Sequence, residues 1–142
     1  MLVFTAALSA AISTPLLAGE SAALISEGES QLRQGKIDDA IETLQQAVAM
    51  DPKSSLAYTR LGGAQTLKQD YGAAVESFKQ AIMLDGKNAN AFVGMAVAYL
   101  HTSRYELARA ALGEAKRLDA SKQEEVDKLI GWIDERAVRA SH

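Results

Sequence analysis

Cysteine is absent from the 142 residues, so the chain can hold neither disulfides nor thiolate metal sites, and it cannot be anchored through a lipidated N-terminal cysteine. Histidine occurs only at His101 and His142, too few and too far apart for a cluster at metal-ligand spacing. A surplus of one charge is also missing. With 15 basic and 18 acidic residues the net charge is −3, which disfavours a partner recognised through its phosphate backbone, so no nucleic acid is expected. Aromatic residues make up only 6% of the chain, whereas 48% is hydrophobic and rich in alanine. That balance suits one modest, all-helical domain.

The arrangements that carry catalysis are lacking too. Asp38 and Asp39 are adjacent carboxylates, but neighbours on a helix diverge by about 100° and do not converge on one substrate. Both fall in a first turn, where negative charge favours the positive end of the helix dipole. Gly62-Gly63 is followed by neither the lysine nor the further glycine of a phosphate loop. No nucleophile stands with a base, so no enzyme, cofactor or metal is expected.

Charged side chains are also missing from Met1 to Gly19, Glu20 being the first ionisable one. This stretch resembles the apolar and cleavage regions of a secretory signal peptide, with cuts after Ala18 or after Ser21, although the basic start of such a peptide is not there. A membrane anchor is the alternative for residues 1–19, near the lower limit of about 18 residues for a span. An apolar helix covering the otherwise bare N-terminal end of the helical domain is the third. The implied locations are the periplasm or cell envelope, or a membrane-anchored state.

What the chain does have is a repeat. Shifted back by 34 residues, Gly62, Ala74, Phe78, Ala81, Leu84 and Asp85 fall on Gly28, Ala40, Leu44, Ala47, Met50 and Asp51. Shifted forward by 34, they fall on Ala96, Ala108, Leu112, Ala115, Leu118 and Asp119. A fixed period of this length signals stacked helical hairpins, each unable to bury its apolar face alone. The spacing predicts helices over 21–34, 37–50, 55–68, 71–84, 89–102 and 105–118. Small residues at Gly62, Ala74 and Ala81 let paired helices approach, and Tyr58 and Phe78 fill the space beside them. After Asp119 the phase breaks. Ser121 and Glu124 have the spacing of a capping box, and Val126, Leu129, Ile130, Ile133 and Ala137 form the apolar stripe of a helix that covers the last hairpin. Trp132 lies off that stripe, at the edge of the cap or on a contact surface.

These residues resemble the tetratricopeptide repeat family. Tyr58, Leu61, Gly62, Ala74, Phe78 and Ala81 match its pattern in the middle repeat. Leu24, Gly28, Ala40, Leu44, Ala47 and Pro52 match in the first, with departures at Glu27 and Gln31. Phe92, Met95, Tyr99, Ala108, Leu112 and Ala115 match in the third, where Ala96 and Ala120 replace Gly and Pro. The resemblance implies a right-handed all-α solenoid: an N-terminal segment 1–20, three repeats over 21–120 (21–54, 55–88 and 89–122 by period), and a capping helix and tail over 121–142.

The family's concave groove is lined by the first helix of each hairpin. Carried over residue by residue, the groove positions are Ala22, Ile25, Glu29, Leu32 and Arg33, then Leu56, Thr59, Gly63, Thr66 and Leu67, then Asn90, Val93, Val97, Leu100 and His101. Some relatives clamp a peptide's terminal carboxylates with Lys and Asn. Here Ile25, Glu29 and Gly94 stand at places that clamp would use, leaving Arg60 and Asn90 as polar substitutes, so a carboxylate clamp is not expected. The implied function is a non-catalytic protein-interaction scaffold that takes an apolar or amphipathic segment of another protein, in assembly or stabilisation of a bacterial envelope complex. The alternatives are a self-assembling, homo-oligomeric scaffold and a membrane-anchored structural subunit of a larger complex.

Overall fold

The computed structural model describes residues 14–142, and they form α1 (Thr14–Arg33), α2 (Ile37–Met50), α3 (Ser55–Leu67), α4 (Tyr71–Leu84), α5 (Ala89–His101), α6 (Tyr105–Leu118), a short 3-10 turn (Ala120–Lys122) and α7 (Gln123–Ala140). Consecutive helices pair as α1 with α2, α3 with α4 and α5 with α6, and each pair stacks on the next. Along one side α1 touches α3 and α3 touches α5, while α2, α4 and α6 make no comparable contact with one another. The stack therefore curves, with α1, α3 and α5 on its inner side.

The local chemistry repeats in phase with the sequence. Within each hairpin the turn residue takes a left-handed backbone: Gly35 at φ 76°, Gln69 at 67° and Ser103 at 59°. The following amide closes the turn, with Lys36 N donating to Gln31 O, Asp70 N to Gln65 O and Arg104 N to Tyr99 O, each at 2.9 Å. This six-residue closure satisfies carbonyls that the helix end would otherwise leave open. Between repeats, Asp51 and Asp85 accept the amides of Lys53 and Lys87. Ser54 and Asn88 cap α3 and α5 by accepting from Ala57 N and Ala91 N.

Small residues set the helix spacing. Gly28 lies against Leu44, and Gly62 against Phe78, so closely that a Cβ at either would stand 2.7 and 2.9 Å from those side chains. Ala40, Ala47, Ala74, Ala81, Ala108 and Ala115 have no exposure at all. Where a helical glycine faces open space it serves no such purpose. A Cβ on Gly113 in α6 meets nothing within 4 Å. Gly113→Ala is expected to raise stability by about 0.5–1 kcal/mol, read from chemical denaturation, because alanine restricts the unfolded chain and favours the helix.

Two expectations change. Within the described residues helix α1 already runs from Thr14, so the division at residue 20 falls inside a continuous helix, in which Leu16 is 62% exposed and Leu17 half-buried. Residues 1–13 lie outside the described residues. The capping box at Ser121 and Glu124 does not form. Asp119 takes both the amide and the hydroxyl of Ser121, at 3.0 and 2.6 Å, and Glu124 pairs with Lys128 instead. Donation from the Ser121 hydroxyl and amide holds the Asp119 carboxyl below its ordinary range. Asp38 does lie in the first turn of α2, as expected, and also reaches Lys68 at the end of α3. That carboxylate holds the Lys68 ammonium above its usual range.

The expected stripe of α7 does seat on the last hairpin. Val126 and Ile133 are fully buried with Val93, Leu100, Ala108 and Leu112, and Leu129 and Ile130 pack beside them. Arg109–Asp134 and Lys116–Asp127 ion pairs flank the seam between α6 and α7. Trp132 stays exposed on the outer face with the Arg136 guanidinium 3.7 Å from its ring centroid, a cation–π contact.

Candidate functional site

The inner face built by α1, α3 and α5 is where the groove residues fall, and the structure sorts them by depth. Glu29, Leu32, Arg33, Thr59, Arg60, Gly63 and Leu67 surround one open depression between α1 and α3 of about 480 Å³. Leu32 is partly buried, while Leu67 remains exposed. Gly63 has nothing within 4 Å of where its Cβ would be, so the α3 backbone itself forms the floor. Inside the depression the Glu29 carboxylate forms an ion pair with Arg60, which leaves Arg33 as the one further charge among its lining residues.

Four residues expected at the groove lie in the core instead. Ile25 is buried with Leu44, Ala57, Leu61 and Ala64, wedged between the first hairpin and α3. Val93 and Leu100 are buried among α6 and α7 residues. Thr59 is 7% exposed, and its hydroxyl donates to Ser55 O at 2.8 Å while accepting from Asn88 Nδ2 at 2.9 Å. Each is enclosed by neighbouring helices rather than facing open solvent. Spacing alone fixes the face of a helix and not the depth.

The rest of the set lies along the rim. Leu56 and Asn90 are exposed at the N-terminal ends of α3 and α5, and Val97 is partly buried. Thr66 is tied down, its hydroxyl donating to Gly62 O at 2.9 Å. His101 is exposed and stacks on Tyr71, with ring centroids 4.9 Å apart and planes within 5°. It therefore faces the α4 side rather than the depression between α1 and α3.

Two residues that organise this face were not singled out for these roles. Asn88 donates from Nδ2 to Ser55 Oγ at 2.8 Å as well as to Thr59, and Ser55 Oγ donates onward to Ala81 O at 2.8 Å. This network locks the starts of α3 and α5 together, and an asparagine just ahead of an apolar helical run was the signal for its cap. Gly94 carries no ligand group. A Cβ there would stand 2.3 Å from the Phe78 ring, so its role is to let α5 close on α4. Among the described residues no group of three or more His, Cys, Asp or Glu is placed to hold a metal.

Comparisons with known proteins agree with this geometry. Two models of the tetratricopeptide repeat match residues 25–90 and 65–133. No curated protein matches the chain. Among solved structures, the first such domain of Spaghetti (RPAP3), bound to the HSP90 peptide SRMEEVD, superposes with a TM-score of 0.81 at 18% identity, over 85% of this chain and 95% of that one. The Yersinia enterocolitica type III secretion translocator chaperone SycD gives 0.78 at 22% identity, over 84% and 95%. The yeast Sti1 TPR2B domain in complex with an Hsp70 peptide gives 0.79 at 20%, over 85% and 98%. With two matched models that together span residues 25–133, and hairpins stacked as in these structures, the chain belongs to the tetratricopeptide repeat family.

Proposed function

We propose that this protein is a non-catalytic interaction scaffold whose inner face receives an apolar or amphipathic segment of another protein. The observation that carries the reading is the α1–α3 depression, floored by Gly63, edged by Leu32 and Leu67, and holding the Glu29–Arg60 ion pair. Structures of the same fold hold peptides ending in EEVD, which are acidic. Here the Glu29 carboxylate stands in the groove and occupies Arg60, so an acidic tail finds only Arg33 to pair with. An apolar stripe flanked by neutral residues fits better, laid along the groove as a helix or an extended strand.

The setting we propose is assembly or stabilisation of a bacterial envelope complex, with residues 1–20 acting as a secretory signal or an anchor. The structure bears on where a cut is tolerated. Ser21 is 2% exposed and its hydroxyl donates to Ala47 O at 3.0 Å, so a cut after Ser21 removes a buried tie, whereas a cut after Ala18 keeps it. Sequencing the N-terminus of the native protein is expected to read Gly19 for a cleaved signal and Met1 for an anchor.

The groove is tested with Leu67→Glu and Gly63→Leu, both at positions with room for the new side chain. Either substitution is expected to weaken capture of the native partner at least about tenfold, as loss of a central contact does, with circular dichroism unchanged. Co-purification with mass spectrometry reads the result. Retention of the same partners at wild-type yield would move the binding surface elsewhere. A self-assembling scaffold is separated by light scattering, since a monomer that still captures its partner leaves no place for it.

A further inference from the structure

Positive charge is scarce on the inner helices. Arg33 is the only lysine or arginine of α1, Arg60 is the only charged residue of α3, and α5 has no lysine, arginine, aspartate or glutamate. An acidic segment laid along this face therefore has two permanent cations to meet, and both line the depression between α1 and α3.

One of the two is already committed. The Glu29 carboxylate pairs with Arg60 through Nε, across the depression. It does so although Arg33 stands four residues further along its own helix, at the spacing and in the order that favour a pair within α1. Arg33 is exposed and has no ion-pair partner among the described residues. An acidic group that arrives at Arg60 exchanges one carboxylate for another and leaves Glu29 without its partner, so little is gained. The side chains of Glu29 and Arg60 are 33% and 41% exposed, and a pair that open to water contributes little to the fold. Removing the Glu29 charge therefore alters what the groove holds more than how the chain folds. Specificity is often built in this way, from an element that disfavours the wrong partner.

We propose that Glu29 is a specificity-determining residue of the groove: by committing Arg60 it restricts the inner face to segments with at most one acidic group, placed for Arg33, and turns away acidic tails. The assignment rests on the inner face being the binding surface.

Fluorescence anisotropy with two labelled peptides tests this at about 50 mM salt, where charge interactions are weakly screened. One is the acidic SRMEEVD, the other its neutral counterpart SRMQQVN with an amidated end. Wild type is expected to hold both equally weakly. Glu29→Gln keeps the size of the side chain and removes its charge. It is expected to bind the acidic peptide at least about tenfold more tightly than wild type does, because two guanidiniums are then free for charge-assisted hydrogen bonds, with no gain for the neutral peptide. Adding Arg60→Gln should abolish the gain, and raising the salt to about 500 mM should shrink it. Circular dichroism should match wild type throughout. The proposal is overturned if Glu29→Gln gains nothing for the acidic peptide, if it gains as much for the neutral one, which would make the effect one of space, or if the gain survives Arg60→Gln. The groove itself is judged by capture of the native partner with Leu67→Glu and Gly63→Leu, so the two proposals fail separately.

Discussion

Phe78→Ala is expected to lower stability by about 3–5 kcal/mol, the range for emptying a buried aromatic site, and to depress the thermal midpoint by roughly 10–20 °C. Phe78 is 2% exposed, and its ring is the point at which three helices meet. It projects from α4 against Gly62 of α3 and Gly94 of α5, where added Cβ atoms would lie 2.9 and 2.3 Å from the ring. Neither helix has a side chain there to swing into the hole, so the cavity cannot collapse cheaply. The same geometry predicts the reverse defect. Gly94→Ala overfills the site and should cost about 1–3 kcal/mol on its own. Combined with Phe78→Ala, which removes the ring it strikes, that cost should largely vanish. Chemical denaturation of the four proteins of this cycle measures the coupling. Additive effects would mean that Phe78 and Gly94 are not in contact.

Much of this architecture was legible because the chain says the same thing three times. The bounds of α2, α4 and α6 follow the expected 37–50, 71–84 and 105–118, since each is fenced by a turn residue at 35, 69 or 103 and an aspartate at 51, 85 or 119. Periodicity failed at its own ends. Nothing in the sequence between Leu16 and Ser21 stops a helix, and α1 runs through that stretch without a break. Placing the boundary at Ser21 followed the phase of the repeat, which carries no stop signal. At the other end, Ser121 and Glu124 had capping-box spacing, but the carboxylate of Asp119, two residues before Ser121, takes its amide instead.

The groove was legible as a face and not as a surface. Ile25, Glu29 and Leu32 share one side of α1, yet Ile25 is buried while Glu29 and Leu32 border the depression. The difference is tertiary: one flank of that side is covered by α3, and no pattern within α1 reports where α3 begins. A consequence is that charged substitution at Val93, buried at 8% exposure beneath α7, would disturb folding as well as binding. Leu67 and Gly63 separate the two effects.

Deleting α7 is expected to have the largest effect of all. A chain ending at Asp119 loses Val126 and Ile133, both with no exposure, along with the partly buried Leu129 and Ile130. Full burial of such side chains contributes about 1.5–3 kcal/mol each, so their loss approaches the whole stability of about 5–15 kcal/mol available to a domain. It also bares Val93, Leu100, Ala111 and Leu112 on the last hairpin, the exposed end that stacked repeats protect with a polar-backed cap. The truncated chain is expected to self-associate in light scattering and to lose its cooperative thermal transition. Ile133→Glu provides the milder form of the same test, because it keeps every residue but places a carboxylate where no partner waits, at a cost of several kcal/mol unless α7 lifts away. Hydrogen exchange should then show α7 and the outer turns of α6 losing protection while α2 and α3, which pack around Leu44 and Leu61, keep theirs. A monomeric truncated chain melting at the wild-type temperature would show that the third hairpin is sealed without α7, and would leave the Arg109–Asp134 and Lys116–Asp127 pairs as surface contacts of little consequence.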